Sequence, residues 1–340
     1  MKNNKTVVMF NHWFSAIYNT IKSIKESERG EQIMLVGSSK NKNTVYKSIV
    51  DKFYTEPEDD ISDSEYVTWL LNTCIKECVD VLFIKRGMAA VAKSIHLFHA
   101  KGIKVICDRY NNIMLLDNKE DTYRSVIDSG YTPAYTVVDN YKDFKESIIE
   151  YISLYGRAVV KNICDEGSRS VRIVYCGASS DTYKNGFTGM NMSVEDMLTS
   201  YKLEELRGKA PKVMIMEYLT DEVSVDCYIH GDDEYALCRF KDSKRIQRIE
   251  HRDTLESVAL TIGKSLNLKY PYNVQFRKDS NNCYRVLEVN TRMSGGIHMA
   301  SLSGVNIPLI CLYDAMGWSY EKPEFKEVTV TQVETPLIVS

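Results

Sequence analysis

The sequence has no long apolar run, and no stretch of its 340 residues comes near the roughly 20 consecutive apolar residues that a membrane-spanning helix requires. The first residues, Met1 to Lys5, lead directly into a short strand-like run. This start differs from the charged beginning and apolar core of a secretory signal peptide. We therefore expect a protein with no membrane partner and a cytoplasmic location.

The sequence also lacks closely spaced cysteine motifs, and it has no large excess of positive or negative charge. Nine cysteines are scattered through apolar segments, and none of them forms a C-x-x-C motif. Cys74 and Cys78 stand four apart on a predicted helix, where buried free thiols behave as small apolar side chains. The net charge is -3, which argues against nucleic acid as a partner. We expect reduced thiols and neither a disulfide nor a zinc site.

Glycine-rich phosphate-binding motifs are absent as well. The first strand-like run is followed by Asn11-His12-Trp13, where a dinucleotide-binding fold carries G-x-G-x-x-G, and the chain lacks G-x-x-x-x-G-K-[ST]. The region up to residue 110 nevertheless alternates apolar runs with helical patterns, which indicates parallel β-α-β units in an open doubly wound lobe. The expected strands are Thr6 to Phe10, Gln32 to Val36, Val79 to Ile84 and Lys104 to Cys107; the expected helices are Ser15 to Glu26, Glu65 to Glu77 and Ala89 to Ala100.

Ligands of such sheets bind at the carboxyl ends of the strands. Asn11, His12, Arg86 and Gly87 follow predicted strands. They either line a substrate crevice or form ordinary βα loops.

A polar stripe on one strand near the C-terminus favours a metal site. With the two-residue period of a strand, Leu287 and Val289 point to one face while Glu288 and Asn290 point to the other. Two adjacent oxygen ligands suit Mg²⁺, which is commonly held by one or two carboxylates together with nucleotide phosphates. The alternative is an edge strand with a solvated polar face that runs into a turn.

Neighbouring residues extend this stripe. Arg292 follows on the same face with donors suited to phosphate or carboxylate oxygens, and Ser294-Gly295-Gly296 offers backbone N–H groups before a helix. Upstream, Gln275 occupies the polar face of another alternating run. The connection through Asp279 to Asn282 is rich in turn formers, so the two runs are predicted to form a hairpin that brings Gln275 beside Glu288.

The sequence N-V-Q-F at residues 273–276, followed by V-L-E-V-N-T-R-x-S-G-G at residues 286–296, resembles the metal-binding end of the ATP-grasp superfamily. The similarity is strongest to the carbamoyl-phosphate-synthetase-like and amino-acid-ligase branches. It implies ATP and Mg²⁺ (or Mn²⁺) as cofactors. It also implies Gln275, Glu288 and Asn290 as metal ligands and Arg292 as a catalytic residue.

The same resemblance implies two cations that contact the nucleotide phosphates. Lys119 lies in the first turn of a helix for which Asp117 and Glu120 predict a capping box. Lys161 ends an apolar strand, so its stem can pack while its ammonium group points into a cleft. In the family a lysine at the position of Lys161 contacts the phosphates and takes part in catalysis. For Lys119 the alternative is a solvated lysine.

Further nucleotide contacts are implied by the resemblance alone. The polar loop Cys164 to Ser170, which contains Ser168, corresponds to a lid over the phosphates but keeps only one of the family's glycines. The backbone around Glu217, Tyr218 and Leu219 corresponds to the segment that meets the adenine edge. Glu222 corresponds to the acceptor of hydrogen bonds from the ribose hydroxyls; without the resemblance, Glu222, Ser224 and Asp226 equally fit a solvated strand face.

The most basic run, Arg239 to Arg248, lacks the interleaved aromatic residues of a nucleic-acid surface. In related ligases the corresponding strands face the transferred phosphate or the substrate carboxylate. One of Arg239, Arg245 and Arg248 is therefore expected to contact substrate, and we take Arg245 as the candidate.

Together these features predict an α/β and α+β protein with a doubly wound parallel-sheet lobe (residues 1–110) followed by a two-part ATP-grasp nucleotide clamp. The clamp comprises a small lid subdomain (111–190) and a metal- and substrate-binding subdomain (191–340). The resemblance implies an ADP-forming ligase that joins a small carboxylic acid or amino acid to an amine, or to a thiol, through an acyl phosphate. It also allows a homodimer. The alternatives are a nucleotide-binding regulatory protein and a phosphotransferase of the same fold.

Overall fold

The computed structural model describes residues 5–164, 170–177, 190–243, 245–333 and 336–338. The helices are α1 (Ile17–Lys25), α2 (Asp63–Lys76), α3 (Met88–Lys93), α4 (Ile95–His99), α5 (Tyr110–Asp117), α6 (Lys119–Ser125), α7 (Tyr141–Tyr155), α8 (Val194–Leu206), α9 (Asp253–Ser265), α10 (Ile297–Ala300) and α11 (Ile307–Met316). The strands are β1 (Thr6–Asn11), β2 (Ile33–Ser39), β3 (Lys52–Thr55), β4 (Val81–Phe83), β5 (Lys104–Ile106), β6 (Tyr135–Val138), β7 (Arg157–Asn162), β8 (Arg172–Tyr175), β9 (Asn191–Ser193), β10 (Val213–Glu217), β11 (Thr220–His230), β12 (Asp233–Lys241), β13 (Ile246–Glu250), β14 (Tyr272–Lys278), β15 (Tyr284–Asn290) and β16 (Val328–Thr331).

The chain divides into two units. Unit 1 comprises residues 1–114, 223–274 and 290–340, and unit 2 comprises residues 115–222 and 275–289. The division falls within β11 and β14 and just before the last residue of β15. The three-domain division expected from the sequence stays a prediction.

The first part of unit 1 is a five-stranded parallel sheet in the order β3-β2-β1-β4-β5. Alternate residues of β1 enter two different cores: Val8 and Phe10 pack on the side of α1, whereas Val7 and Met9 pack on the side of α2. Because successive side chains of a strand point to opposite faces, helices cover both faces of the sheet. The predicted doubly wound lobe is confirmed.

Two local features of this lobe differ from expectation. The edge strand β3 was not predicted, because Lys52-Phe53-Tyr54-Thr55 is exposed or half-buried throughout and lacks a buried apolar face. The single helix expected over 89–100 is two helices, α3 and α4, which meet at Ser94. Ser94 leaves the helical conformation, with φ -109° and ψ 16°.

The rest of unit 1 belongs to a six-stranded sheet with the order β15-β14-β11-β12-β13-β16. Within unit 1, β11 pairs with β12, β12 with β13 and β13 with β16, all antiparallel. Helices α9 and α11 begin and end within one residue of the helices that apolar spacing predicts over Thr254 to Leu266 and Ile307 to Met316.

Unit 2 contains a five-stranded sheet with the order β6-β10-β7-β8-β9, antiparallel except between β8 and β9. Helices α7 and α8 cover one face of this sheet and bury apolar side chains against it. The rings of Phe144 on α7 and Tyr201 on α8 stack with centroids 3.9 Å apart. Since successive residues of β7 alternate between faces, Val160 enters this core and Lys161 points to the other side of the sheet.

Among the described residues, no single helix is both long and apolar enough to cross a membrane. The consecutive segments Ile297–Ser303 and Ile307–Met316 reach the required length and composition only as a pair bent by 89°. All nine cysteines lie within the described residues and are free.

The sheet-and-helix core of the first lobe leads to a stability prediction. Leu70 on α2 is fully buried, whereas Leu97 on α4 is 41% exposed. Leu70→Ala should lower the free energy of unfolding by about 2–5 kcal/mol, because the lost transfer free energy adds to the cost of a cavity. Leu97→Ala, the matched control, should change it by less than about 1 kcal/mol. Urea denaturation followed by circular dichroism measures both; equal effects would contradict the packing described here.

Candidate functional site

Lys161 on β7 is a buried cation with a single neutral side-chain partner among the described residues. It is 4% exposed, and its Nζ donates a hydrogen bond of 3.1 Å to the hydroxyl of Tyr123. The same Nζ lies 5.1 Å from the centroid of the Tyr123 ring. Tyr123 is fully buried, and its hydroxyl donates at 2.9 Å to the carbonyl of Leu287 on β15. Tyr123 therefore connects Lys161 with the strand that carries Glu288.

The surroundings of Lys161 destabilise its charged form. Burial lowers the pKa of Lys161 to about 7; the positive charges of Lys119 and Arg277 act in the same direction, and the negative charge of Glu288 opposes them. An unperturbed lysine has a pKa near about 10.4. A strongly shifted pKa caused by burial together with specific charged neighbours is characteristic of functional sites. An anion bound near Lys161 would restore its positive charge.

Lys119, the second predicted phosphate-binding cation, begins α6. Its backbone N–H donates at 3.1 Å to the carbonyl of Ile163, and its Nζ lies 3.5 Å from the same oxygen. Tyr123 stands one helical turn later on the same face of α6. The structure thus places Lys119, Tyr123 and Lys161 close together within unit 2. The positive charge of Lys119 lowers the pKa of Lys161, which also requires that the two side chains lie near each other.

The cap of α6 differs from the prediction. Asp117 is the last residue of α5, and Asn118 is the N-cap, with its side chain accepting from the backbone N–H groups of Glu120 and Asp121. The capping box predicted from Asp117 and Glu120 is therefore wrong. The cap lies one residue later than predicted because the preceding helix, α5, continues through Asp117. The chain first becomes extended at Asn118, with φ -93° and ψ 116°.

The segment predicted to meet the adenine edge lies at the end of β10. Glu217 is buried, and its carboxylate accepts a hydrogen bond of 2.8 Å from the backbone N–H of Ala134. Burial raises the pKa of Glu217. The guanidinium of Arg157 lies 5.2 Å from the ring centroid of Tyr218, and Leu219 is buried. Since these side chains contact protein groups, the backbone is the part of this segment that is suited to a ligand.

Glu222, the predicted ribose-binding residue, is half-buried at the start of β11. It forms an ion pair of 2.6 Å with Arg277 on β14. A ribose that donates hydrogen bonds to Glu222 would therefore share the Glu222 carboxylate with Arg277. Ser168, the predicted residue of the lid loop, lies outside the described residues.

The predicted hairpin of β14 and β15 is present. The backbone N–H of Asp279 donates at 2.9 Å to the carbonyl of Cys283, and the Asp279 carboxylate also accepts from Nε of Arg285. The two strands are neighbours in the sheet, and both Gln275 and Glu288 are half-buried. Hydrogen bonds in the turn thus hold the two strands that carry the proposed ligands.

The predicted metal ligands are all oxygen donors. Gln275 and Asn290 offer amide carbonyls, and Glu288 offers one carboxylate. Across the part of the chain that the structure describes, no group of three or more His, Cys, Asp or Glu could hold a metal ion. A cage of protein side chains is thus not formed there, but Mg²⁺ bound largely through nucleotide phosphates needs only one or two carboxylates. The donor set fits a metal ion that binds together with a nucleotide.

Arg239, on β12 in unit 1, is the centre of a buried polar network. It is 7% exposed. Its guanidinium donates hydrogen bonds of 2.7–2.9 Å to Asp226, Gln247, Ser224 and Ser294. Asn273 on β14 donates to Ser224 and Asp226 in turn. The polar side chains of β11 at these two positions are therefore buried and paired, and the solvated strand face considered as an alternative is wrong for them.

The turn after β15 is packed against this network. Besides the bond from Arg239 to Ser294, a Cβ at Gly296 would lie 2.3 Å from Nη1 of Arg239. Only glycine fits that position without displacing the guanidinium. Helix α10, which follows, has four residues, so its dipole adds little to anion binding at the turn.

The other basic residues predicted to contact ligands lie in different environments. Arg248 forms ion pairs with Asp242 and Glu250, which raise its pKa. Arg245 is exposed in the turn between β12 and β13. Arg292 is half-buried, and its guanidinium lies 5.2 Å from the ring centroid of Phe14, within unit 1.

The carboxyl edge of the parallel sheet is largely engaged in internal contacts. Asn11 is fully buried and donates at 2.8 Å to the carbonyl of Arg86, whose guanidinium binds Glu56 at 3.0 Å. Nδ1 of His12 accepts from the backbone N–H of Lys40 at 3.1 Å, so the proton of the neutral ring lies on Nε2. Burial lowers the pKa of His12. These contacts favour the interpretation of Asn11 and Arg86 as ordinary βα loop residues.

Sequence reasoning missed Tyr123, Asp226 and Phe14 as members of these clusters. Tyr123 follows Lys119 by four residues on a predicted helix, and this spacing was a usable signal. No comparable signal marks Asp226 or Phe14, whose partners are distant in sequence.

The comparisons with known proteins agree on one fold. Residues 209–336 match the sequence model of a family described as "ATP-grasp in the biosynthetic pathway with Ter operon". No curated protein matches the chain by sequence.

Several solved structures are similar over nearly the whole chain. N5-carboxyaminoimidazole synthetase from Staphylococcus aureus, complexed with ADP, has a TM-score of 0.68 at 15% identity and covers 96% of this chain and 82% of its own. The biotin carboxylase domain of 2-oxoglutarate carboxylase from Hydrogenobacter thermophilus, a dimer with MgADP, ADP and bicarbonate, has a TM-score of 0.67 at 14% identity and covers 94% and 71%. Biotin carboxylase from Campylobacter jejuni, in a β,γ-ATP complex, has a TM-score of 0.66 at 15% identity and covers 94% and 73%. Residues 209–336, which include the motif at residues 286–296, thus match an ATP-grasp family, and nearly the whole chain shares the fold of these solved structures.

Proposed function

We propose that this protein is an ADP-forming ligase that activates a small carboxylic acid or amino acid as an acyl phosphate and transfers the acyl group to an amine. The observation that carries the proposal is the buried Lys161, held by Tyr123 against the strand that bears Glu288. A buried ammonium with a lowered pKa is suited to an anionic ligand, and an adjacent carboxylate is suited to the cation that accompanies nucleotide phosphates. Relatives with this fold are complexed with ADP or MgADP.

The nucleotide is proposed to bind mainly through unit 2. Lys119 and Lys161 contact the phosphates, while Gln275, Glu288 and Asn290 hold Mg²⁺ (or Mn²⁺) with the help of phosphate oxygens. When bound, the ion offsets negative charge on the transferring phosphoryl group. The remaining contacts come from the backbone of Glu217, Tyr218 and Leu219 to adenine, Glu222 to ribose and Ser168 of the lid loop to phosphate.

The chemistry needs no protein nucleophile. The substrate carboxylate attacks the γ-phosphorus of ATP, the bond to the β,γ-bridging oxygen breaks, and ADP leaves with the electron pair. The amine then attacks the acyl carbon, phosphate departs and the amine loses a proton. Arg292 orients the carboxylate, and Lys161 offsets charge on the phosphates; we keep Arg245 as a candidate for a second substrate contact.

The partners in this proposal are a small acid, with an amine or thiol as acceptor. A biotin carboxylase domain of this fold is a dimer in its complex with MgADP. By analogy we propose a homodimer that resides in the cytoplasm.

The metal assignment is tested by Glu288→Gln, which keeps the size of the side chain but removes its charge. ADP release in the presence of ATP, Mg²⁺ and an accepted acid should fall by about 100-fold or more, since a charged ligand of the ion is lost. Glu146→Gln, an exposed glutamate on α7 of the same unit, is the matched control and should behave as wild type. Wild-type turnover in Glu288→Gln would refute the assignment.

The lowered pKa of Lys161 leads to a prediction of pH dependence. The ammonium is charged below about pH 7 and loses its proton above it, so affinity for a non-hydrolysable ATP analogue should fall as pH rises from 6 to 9. Bound phosphates favour the charged form, and binding above pH 7 should therefore take up a proton. Isothermal titration in buffers of different ionisation enthalpy measures this uptake.

The variant Lys161→Met separates the proton uptake by Lys161 from the titration of the nucleotide itself. It should bind the analogue at least about tenfold more weakly and lose the part of the proton uptake that belongs to Lys161. Lys145→Met, on the exposed face of α7, should leave both quantities unchanged. Equal proton uptake in wild type and Lys161→Met would show that Lys161 does not contact the phosphates.

The acyl phosphate distinguishes a ligase from a phosphotransferase and from a silent binder. Hydroxylamine added in place of the natural amine should intercept it and give a hydroxamate in step with ADP. Colorimetric hydroxamate detection beside an ADP assay, across amino acids and small carboxylates, measures both products. A kinase that acts on a hydroxyl group would release ADP without hydroxamate, and formation of AMP and pyrophosphate would contradict the acyl-phosphate route.

A further inference from the structure

A cleft of about 350 Å³ lies between α8 and one end of the sheet of unit 2. Its helical side is formed by Met197, Ser200, Tyr201 and Glu204, whose spacing of three and four residues places them on one face of α8. Its sheet side lies where β7 ends and where β8 and β10 begin. The described lining residues all belong to unit 2. The volume falls within the range of about 300–1,000 Å³ that small-ligand sites occupy.

The cleft and the proposed nucleotide site lie on opposite faces of this sheet. Val160 and Asn162 of β7 line the cleft, whereas Lys161, which stands between them, points to the other side. Val160 also belongs to the core that α7 and α8 cover, which fixes the face on which the cleft lies. The sheet therefore separates a molecule in the cleft from the ammonium group of Lys161.

The charged side chains of the cleft have partners within the protein. Among the described lining residues, only Arg172 and Glu204 are charged, and their charges have opposite signs. Glu204 forms an ion pair of 2.8 Å with Arg207, and Arg172 donates at 2.9 Å to the carbonyl of Val171. Neither charge needs a ligand as its partner. An uncharged molecule therefore fits the cleft better than a phosphate or a carboxylate, which would lose its hydration without gaining an unpaired cation.

The apolar part of the lining suits an aromatic ring. Met192 and Met197 offer flexible side chains whose sulfur atoms make favourable contacts with aromatic rings. Tyr201 adds a ring of its own, which is held in place because it stacks on Phe144. Three adaptable or aromatic side chains thus surround the same space.

Two polar side chains of the lining are available to a ligand. The amide of Asn162 and the hydroxyl of Ser200 make no hydrogen bond to another side chain or backbone group among the described residues. Each of them can both donate and accept. A ligand that covers them must offer a hydrogen-bonding group, since a polar group that is buried without a partner costs free energy.

We propose that this cleft is a second ligand site, which binds a small uncharged molecule with an aromatic ring and an amide or hydroxyl group. The ring lies against Met192, Met197 and Tyr201, and the polar group exchanges hydrogen bonds with Asn162 and Ser200. The site uses none of the residues assigned to the nucleotide, the metal ion or the acid. It is therefore independent of the proposed ligase reaction.

The test compares neutral aromatic probes with charged analogues of similar shape. Benzamide and benzyl alcohol are the neutral probes, and benzoate and benzylammonium are the charged ones. Titrations followed by saturation-transfer NMR give the dissociation constants. At least one neutral probe should bind the wild type with a dissociation constant of about 1 mM or below, which a well-fitting molecule of this size can reach. The charged analogues should bind at least about tenfold more weakly.

Ser200→Trp fills the cleft from α8 and should weaken binding of the neutral probe by at least about tenfold. Ser153→Trp, at an exposed position of α7 in the same unit, is the matched control and should bind the probe as the wild type does. Circular dichroism shows whether each variant is folded. Ser200→Leu, which fills the cleft less, replaces Ser200→Trp if the larger side chain prevents folding.

Two further measurements separate the cleft from the nucleotide site. A saturating non-hydrolysable ATP analogue with Mg²⁺ should not displace the neutral probe, and Lys161→Met should bind the probe as the wild type does. The proposal is overturned if no neutral probe binds, if the charged analogues bind equally well, if filling the cleft at Ser200 leaves binding unchanged, or if the ATP analogue displaces the probe. None of these results depends on hydroxamate formation, so the second site and the ligase activity are tested separately.

Discussion

The buried ion pair between Arg239 and Asp226 is the interaction on which the arrangement of unit 1 depends. Taking two charges out of water costs several kcal/mol per ion, and their attraction repays this cost only when further hydrogen bonds satisfy the remaining donors and acceptors. Here Gln247, Ser224 and Ser294 accept from Arg239, and Asn273 donates to Asp226. The pair and its hydrogen-bond partners therefore join four strands of the sheet, β11 to β14, to the turn that follows β15. Gly296 is required for the same reason, since any side chain there would meet the guanidinium.

Among the described residues, the buried cations Arg239 and Lys161 differ in how their charges are stabilised. Arg239 has a carboxylate partner and several neutral acceptors, so its charge is satisfied within the protein. Lys161 has a tyrosine hydroxyl, and burial lowers its pKa to about 7. A satisfied buried charge serves structure, whereas a poorly satisfied one is stabilised when an anionic ligand arrives. This contrast is why we assign Arg239 to support of the fold and Lys161 to the nucleotide.

Phosphoryl transfer suits a site of this kind because it requires positioning and charge stabilisation more than covalent participation by the protein. Tyr123 provides positioning in unit 2. Its hydroxyl accepts a hydrogen bond from Lys161 and donates one to the backbone of β15, so it links the cation to the strand that carries the proposed metal ligands.

The sequence by itself determined the features that depend on local periodicity and on short motifs. Short apolar runs predicted β1, β2, β4 and β5, and helical spacing predicted α9 and α11. The run at residues 286–296 indicated the ATP-grasp family that residues 209–336 match. Tertiary structure alone decided which polar residues meet. Asp226 and Arg239 are paired across strands, and Phe14 meets Arg292 from the far end of the chain. It also moved the cap of α6 to Asn118, because α5 continues through Asp117. Such contacts depend on register and on the packing of distant segments, which composition and spacing along one strand or helix do not encode.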